Sequence, residues 1–283
     1  MLSKIQVLDK PAEIQDEMRI RLEPNIVSGN DVLTIRDLSK SFGTTHLFSH
    51  VDMEVKRGER VAIIGNNGTG KTTILKIINS MLPADSGTIT LGSKVHIGYY
   101  DQEHHVLHME KTVFEEVQDA YPNLTNTQVR NILAAFLFTG DDVFKRISDL
   151  SGGERGRVSL AKLMLSEANF LILDEPTAVL TPQETEKLFV ALRNMKRDGK
   201  SIIIITHKLN EVMDISDRVA ILRKGEHIAT VDTASTNEQE LTEWMVGRKM
   251  DLNIQRPVVE KTRPLLELRD LTVRSDEGSV AID

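Results

Sequence analysis

The chain has 283 residues, 40% of them hydrophobic, so it can bury the core of one large domain or of one domain plus a fragment. Its 42 acidic and 35 basic side chains give a net charge of −7, which excludes a global basic field that would attract nucleic acid, although not a local basic patch. It has no cysteine, its longest aliphatic run (202–205) is far below the ~20 residues that span a bilayer, and its N-terminus lacks a signal-peptide core, so we expect a soluble cytoplasmic protein.

The first predicted elements form a sheet. Residues 1–30 are a linker-like N-terminal segment, and strand and helix signals alternate after residue 31, which predicts an α/β fold with a largely parallel central sheet. Three short segments alternate apolar and polar residues or are rich in β-formers. They predict a small antiparallel β-subdomain beside the strand that precedes the first glycine-rich loop, and they comprise residues 32–35, 51–55 and 88–91.

That glycine-rich loop, residues 65–73, follows the apolar run 61–64 and precedes the apolar run 74–78. Two spaced glycines followed by Lys and Thr match the P-loop (Walker A) pattern in the strand–loop–helix context that it needs, with an ordinary glycine-rich turn as the alternative. Backbone N–H groups would face the phosphates, Lys71 would reach the β and γ oxygens, and the Thr72 hydroxyl would ligate Mg²⁺. The predicted nucleotide-binding residues are Gly65, Asn66, Asn67, Gly68, Thr69, Gly70, Lys71, Thr72 and Thr73.

Residues 103–149 predict a helical insert, because apolar residues recur there at helical spacing and form one stripe to bury. Three histidines near its start match no tight zinc spacing, and neither cysteines nor a set of acids support a metal site, so we assign them to a solvated loop. The stripe includes Val129, Ile132, Leu133 and Phe136, and the histidines are His104, His105 and His108.

A second candidate phosphate cradle follows the insert at Leu150-Ser151-Gly152-Gly153-Glu154. A serine, two glycines and a new helix start suit an anion. Because the chain already has a P-loop, this second cradle predicts that one copy completes the ATP site of another copy.

Two further polar positions follow predicted buried strands. The apolar run 170–173 delivers Asp174 and Glu175 to the carboxyl end of a parallel strand, where Asp174 would hold Mg²⁺ directly or through water and Glu175 would orient the attacking water. Surface acids at a strand end are the alternative. His207 follows the β-rich run 201–206 and could hydrogen-bond the γ-phosphate as charge transfers, with a core histidine as its alternative.

These motifs stand in the order of the ATP-binding cassette (ABC) ATPases, and the chain resembles that family from about residue 30 to residue 248. The resemblance implies a P-loop NTPase of ABC type that hydrolyses ATP with Mg²⁺ and pairs head to tail with a second cassette. Ser151 and Gly153, with Gly152 between them, would then contact the γ-phosphate that the other P-loop holds. The matched motifs are the P-loop, Gln102, the signature (150–154), Walker B (171–175) and the switch histidine His207.

The resemblance also assigns roles to two single residues. Phe42 stands where the family stacks an aromatic ring on adenine, although it could be a simple core residue. Gln102 would link Mg²⁺ and water to the insert, which in the family faces the component that the ATPase drives. A plain surface glutamine is the alternative.

Different parts of the chain resemble different subfamilies. Residues 1–177 resemble the second cassette of ABC-F proteins, which act on ribosomes without a membrane domain, whereas residues 178–250 resemble the first cassette of sugar or nucleoside importer ATPases, whose permease would be a separate chain. An ABC-F-like ATPase is our main expectation, an importer subunit the alternative, and a composite chain retaining only ATP binding a third. The seam would lie in 173–177 and would reflect a design, a natural recombinant or an assembly error.

Residues 178–184 occupy the place of the family's Asp-bearing loop that contacts the opposite subunit, and they contain no Asp. Thr181, Pro182 and Glu184 instead predict a helix start with a hydroxyl cap, a first-turn proline and a capping-box glutamate. The cross-dimer contact at this loop is therefore left open.

At the C-terminus, residues 266–272 echo residues 33–39. The echo predicts a linker at 251–264 and the first strand of a truncated second cassette in 265–283. Short strand patterns also coincide by chance.

Overall fold

The computed structural model describes residues 26–100, 107–178 and 180–249, together with the backbone of 273–274 and 280–282. The chain divides into two units, residues 1–249 and 250–283. Within the first unit the described strands form one sheet in the order β4-β1-β2-β9-β8-β3-β7-β6-β5. These strands are β1 (Asp31–Phe42), β2 (Thr45–Lys56), β3 (Arg60–Gly65), β4 (Ser86–Leu91), β5 (Ile97–Tyr100), β6 (Phe170–Asp174), β7 (Ser201–Ile205), β8 (Arg218–Arg223) and β9 (Glu226–Asp232).

The predicted α/β fold with a largely parallel central sheet is confirmed. Strands β5, β6, β7, β3 and β8 run parallel, with Leu173 opposite Ile204 and Ala62 opposite Ile204 on its other side. Since parallel strands end at one edge, the loops after β3, β6 and β7 emerge together. This shared edge carries the P-loop, Asp174 with Glu175, and His207.

The predicted antiparallel β-subdomain is present as β1, β2 and β4. It does not lie directly beside the P-loop strand, because β8 and β9 stand between β2 and β3. The hairpin of β8 and β9 joins β2 through the pairing of Ser49 with Glu226. The sequence patterns predicted no strands in this late segment, so the separation was not expected.

Both faces of the central sheet are buried, as its uninterrupted apolar strands require. Along β3, Val61 and Ile63 face the side that α1 covers, whereas Ala62 and Ile64 face the side that α4 and α5 cover. The helices are α1 (Lys71–Ile78), α2 (Val113–Ala120), α3 (Asn126–Ala135), α4 (Gly152–Leu165), α5 (Pro182–Arg197), α6 (Leu209–Ile215) and α7 (Glu238–Val246).

The helical insert comprises α2, α3 and two short 3₁₀ turns, and it packs on α4. Val129, Ile132 and Leu133 of the predicted stripe are buried, whereas α3 ends at Ala135 and leaves Phe136 half-buried at its C-cap. Capping boxes fix the starts of both insert helices, at Thr112 with Glu115 and at Thr125 with Gln128.

The predicted start of α5 is confirmed. Thr181 accepts a hydrogen bond from the Glu184 N–H, Glu184 accepts one from the Thr181 N–H at 2.7 Å, and Pro182 stands in the first turn. Residues on the two sides of 173–177 share one core, since Leu160 and Met164 of α4 pack in the same cluster as Leu188 of α5.

Asp217 ties β3, α5 and β8 together at the edge of the sheet opposite the P-loop. It accepts bonds from the Arg60 backbone N–H (2.9 Å), the Arg60 guanidinium (3.2 Å) and the Lys196 ammonium (2.6 Å). Burial acts to raise the pKa of Asp217, but these bonds outweigh it and hold the pKa below its usual value.

We expect Asp217→Asn to lower the free energy of unfolding at pH 7 by about 2 kcal/mol, because it removes a charged acceptor from three donors. The depressed pKa means that the ionised group stabilises the fold above the ordinary aspartate pKa and loses this effect as pH falls through the folded value. Urea unfolding at neutral and acidic pH tests this, with exposed Asp232→Asn as the control. A difference from wild type that persists unchanged below pH ~3 would contradict it.

Among residues 26–100, 107–178 and 180–249, no helix has the length and apolar character needed to cross a membrane. Residues 26–30 pack within the first unit, where Asn169 donates to the Ile26 carbonyl and Arg57 to the Ser28 carbonyl. Residues 1–25, 251–264 and the echo at 266–272 lie outside the described residues. In the second unit β10 (Val273–Arg274) pairs antiparallel with β11 (Val280–Ile282).

Candidate active site at the carboxyl edge of the sheet

The P-loop connects the buried strand β3 to helix α1. Gly68 and Gly70 adopt left-handed backbone conformations, with φ of 79° and 90°. A side chain at Gly70 is disfavoured for two reasons. The φ of 90° suits glycine, and a Cβ there would lie 2.5 Å from Cδ1 of Phe48. No side chain caps α1, so its first N–H groups can serve an anion.

Lys71 lies inside the curve of this loop and is only 7% exposed. Its ammonium donates to the carbonyls of Gly65 at 2.8 Å and Asn66 at 3.0 Å. Burial lowers the pKa of Lys71, and the carboxylates of Glu175 and Asp174 oppose that shift. A buried cation beside free amides is a site that an anion would stabilise.

The remaining P-loop side chains divide into buried supports and exposed groups. Thr69 is buried and its hydroxyl donates to the Asn66 carbonyl at 2.9 Å, which closes the turn. Asn66, Asn67 and Thr72 are exposed, and Thr73 is half-buried. The Thr72 hydroxyl can therefore reach a ligand at the start of α1.

Asp174 ends β6 and Glu175 directly follows it, at the same edge of the sheet. Asp174 is 6% exposed and interacts electrostatically with Lys71. Glu175 has a left-handed φ of 47°, and its N–H donates to the Ile205 carbonyl at 3.0 Å. A non-glycine residue held there is strained and is held by its neighbours, a pattern common at active sites.

His207 follows β7, and its Nδ1 lies 3.5 Å from Oε1 of Glu175. The His207 side chain is 55% exposed, which rules out the core histidine, while that of Glu175 is 24% exposed. An imidazole and a carboxylate thus meet beside a buried lysine and a free helix start.

A buried network that the sequence patterns did not predict lies behind this pair. Oε2 of Glu211 accepts from the hydroxyls of Thr177 (2.6 Å) and Thr206 (2.9 Å), and the Lys208 ammonium lies 2.9 Å from Oε1. Glu211 is 4% exposed and stands four residues after His207, a spacing that by itself carries no signal of this arrangement.

Ser151, Gly152 and Gly153 of the signature lie at the start of α4, whereas Leu150 is buried. Ser151 N-caps α4 in a capping box, in which the Ser151 N–H and hydroxyl each donate to Oε2 of Glu154 at 2.8 Å. The bond from the Ser151 N–H lowers the pKa of Glu154. Ser151 and Gly152 are exposed, Gly153 is half-buried, and a Cβ on Gly152 would meet nothing within 4 Å.

Arg157, which the sequence patterns also did not single out, lies on α4 and links it to the start of α5. Its guanidinium lies 2.5 Å from Glu184 and 3.8 Å from Glu154, the two glutamates of the α5 and α4 capping boxes. It also stacks over the ring of Phe138 at 5.1 Å. Arg157 thereby connects the helix start at Ser151 to the helix start at Thr181.

Phe42 ends β1 and is 50% exposed, so it is not a simple core residue. The Lys40 ammonium lies 5.3 Å from its ring centroid. Gln102, His104 and His105 lie outside the described residues. His108 bonds through Nδ1 to the buried Glu116 at 3.0 Å, and no group of three or more His, Asp or Glu within the described ranges could hold a metal ion.

A family model described as ABC transporter matches residues 48–178, from β2 through the P-loop and insert to the turn after β6. YdiF of Bacillus subtilis (strain 168), a putative ATP-binding protein, is 38% identical over 265 residues, which cover 92% of this chain and 41% of YdiF. NupA of Lactococcus lactis subsp. cremoris (strain MG1363), a nucleoside import ATP-binding protein, is 33% identical over 276 residues, which cover 90% of this chain and 54% of NupA.

The chain therefore spans about half the length of these curated relatives. A dimeric ATP-binding cassette solved in a post-hydrolysis state with ADP and Pi superposes with a TM-score of 0.62 at 22% identity, covering 71% of this chain and 98% of that one. At this identity the match establishes the fold. By its family match, its relatives and its fold, this chain carries an ATP-binding cassette (ABC) ATPase domain.

Proposed function

We propose that the chain binds Mg-ATP and hydrolyses it at a composite site made by two cassettes head to tail. The observation that carries the proposal is the meeting of Lys71, Glu175 and His207 at one sheet edge beside an uncapped helix start. The exposed Ser151 and Gly152, with open space in front of Gly152, support a role in completing a second cassette's site.

In the proposed reaction, a water attacks the γ-phosphorus in line with the bond to the β-γ bridging oxygen, that bond breaks, and ADP leaves. Glu175 orients the water and takes up its proton, which is then released with the phosphate product. Lys71 gives up its bonds to the Gly65 and Asn66 carbonyls and binds the β and γ oxygens. The His207 imidazole donates a hydrogen bond to the γ-phosphate as its charge shifts.

The residues present fit a magnesium ion bound together with nucleotide. The exposed Thr72 hydroxyl and the buried Asp174 carboxylate would supply oxygen ligands from adjoining loops, with Gln102 as the third expected contact. One or two carboxylates plus phosphate oxygens are usual for this ion. When bound, Mg²⁺ neutralises charge on the β- and γ-phosphates.

The direct test is phosphate release by the full chain in the presence of Mg²⁺, with Lys71→Met as the negative control. Lys71→Met preserves a buried apolar stem but removes the cation, so turnover should fall to background. Equal release by wild type and Lys71→Met would show that the observed turnover does not come from this site.

Phe42→Ala is expected to weaken ATP binding about tenfold, because stacking of a base on an aromatic ring contributes ~1–3 kcal/mol. The ring is exposed and available, unlike a core phenylalanine. Titration with a fluorescent ATP analogue measures the effect. Phe144→Ala is the matched control, since Phe144 is exposed to a similar extent but lies in the insert. Equal affinities for wild type and Phe42→Ala would remove Phe42 from the adenine site.

For the driven partner, the importer setting is the better supported. NupA is a nucleoside import ATP-binding protein, and its match covers 90% of this chain. In that setting the chain is the peripheral ATPase of separate permease chains, with a nucleoside or sugar as cargo. The ABC-F setting rests on the sequence resemblance of residues 1–177, and a composite origin rests on the change of resemblance near 177.

Ribosome co-sedimentation with a non-hydrolysable ATP analogue separates these settings. The importer proposal expects no nucleotide-dependent pelleting, whereas an ABC-F-like clamp expects pelleting only with the analogue. The Lys71→Met chain serves as the control for nucleotide dependence. Pelleting that depends on both the analogue and Lys71 would overturn the importer setting and favour the ribosomal one.

A further inference from the structure

Glu211 stands behind the Glu175–His207 pair and joins the two loops that carry it. One of its oxygens accepts both the Thr177 hydroxyl (2.6 Å) and the Thr206 hydroxyl (2.9 Å). Thr177 is two residues after Glu175, and Thr206 directly precedes His207. We infer that Glu211 is a positioning residue for hydrolysis, which holds the water-orienting carboxylate and the switch histidine in mutual register. This inference rests on the proposed ATP hydrolysis.

Among the described residues, the loop after β6 is held by backbone hydrogen bonds on both sides of Thr177 and by this side-chain contact. The Ala178 N–H closes a turn on the Glu175 carbonyl at 3.1 Å, and the Glu175 N–H bonds to Ile205. Beyond this turn, the buried Thr177 hydroxyl anchors the loop side chain to α6 through Glu211. Because Glu175 holds a strained left-handed φ, its surroundings must fix it.

The loop after β7 is tied from both sides of His207. Thr206 donates its hydroxyl to Glu211, and the Lys208 N–H returns a bond to that hydroxyl at 3.2 Å. The Lys208 ammonium lies 2.9 Å from the other Glu211 oxygen and donates to the Thr177 carbonyl at 3.2 Å. His207 thus projects between two residues that a single carboxylate holds.

A carboxylate is suited to this place. The Glu211 carboxylate accepts hydrogen bonds from two hydroxyls at one oxygen, and the Lys208 ammonium lies at its other oxygen. Charge-assisted hydrogen bonds of this kind are shorter and stronger than neutral ones. The Glu211 side chain is 5% exposed, so water cannot readily replace a lost partner. Removing its charge should let the two loops move relative to each other.

The test compares Glu211→Gln with Asp214→Asn in the full chain. Asp214 lies on the same helix, is exposed and pairs with Arg193, so it controls for changes to α6. Glu211→Gln is expected to lower kcat about 10- to 100-fold with nucleotide affinity and KM within about twofold, the effect of a misplaced catalytic group. Asp214→Asn should keep the wild-type kcat, nucleotide affinity and KM. A merely structural role would instead lower the melting temperature and the bound fraction while leaving turnover per bound nucleotide unchanged.

A second pair of variants keeps the inference testable if Glu211→Gln does not fold. Thr177→Val removes the hydroxyl, whereas Thr177→Ser keeps it, so kcat should fall several-fold further in the valine variant. Equal kcat in these two variants, or wild-type turnover per bound nucleotide in folded Glu211→Gln, would overturn the positioning role alone. Absence of turnover in the wild type would overturn the proposed function as well.

Discussion

Glu175→Gln is expected to lower ATP turnover by about 1000-fold, because an amide of the same shape cannot accept a proton from the attacking water. Nucleotide binding should persist, since Lys71 and the start of α1 are untouched. With ATP present but not consumed, the paired state should accumulate. Phosphate release and size-exclusion chromatography with and without Mg-ATP measure both consequences.

The control for this experiment is Glu238→Gln, an exposed carboxylate in the first turn of α7. It should retain wild-type turnover and show no ATP-dependent change in size beyond that of the wild type. Wild-type turnover in Glu175→Gln would remove Glu175 from the chemistry. A slow variant that stays monomeric with ATP would keep the role of Glu175 but contradict ATP-driven pairing.

Mixing two inactive variants is expected to restore activity if each site is shared between chains. Lys71→Ala disables the P-loop. Ser151→Asp keeps a good N-cap for α4 but places a negative charge next to the γ-phosphate of the ATP bound at the other chain's P-loop. Each variant alone should lose nearly all turnover. In an equal mixture half of the dimers are mixed and carry one intact site, so about a quarter of the wild-type activity should return.

Thr125→Asp is the matched control for the second variant. Thr125 caps α3 in the same capping-box geometry as Ser151, but on the insert. The Thr125→Asp chain should keep wild-type turnover, which would show that an acidic cap is tolerated by the fold. A mixture of Lys71→Ala and Ser151→Asp that is no more active than its separate components would contradict the composite site.

Arg157 connects residues 178–184, which contain no aspartate, to the start of α4. This segment holds the well-capped start of α5, and the sequence did not predict how that start lies relative to Ser151. In the fold, Arg157 bonds Glu184 and approaches Glu154, so both helix starts share one cation. Sequence separation hid the link, since Arg157 and Glu184 stand 27 residues apart.

The local patterns of this chain determined its fold class and most of its site. The P-loop, the acidic pair after β6 and the capping box of α5 depend on residues within a few positions of one another, and such short-range chemistry can be predicted from sequence. The same holds for the parallel strands, whose apolar runs require burial on both faces. The roles of the site residues, Gln102 among them, and the meaning of the C-terminal echo remain predictions.

Only the tertiary structure decided which distant groups meet. The insertion of β8 and β9 between the β-subdomain and the P-loop strand depends on pairing across more than 150 residues. The contact of Glu175 with His207, and the bonds that Glu211 makes to Thr177 and Thr206, arise because parallel strands bring their ends to one edge and α6 packs behind them. Hydrogen bonds of this kind depend on distance in space, which residue spacing along the chain does not encode.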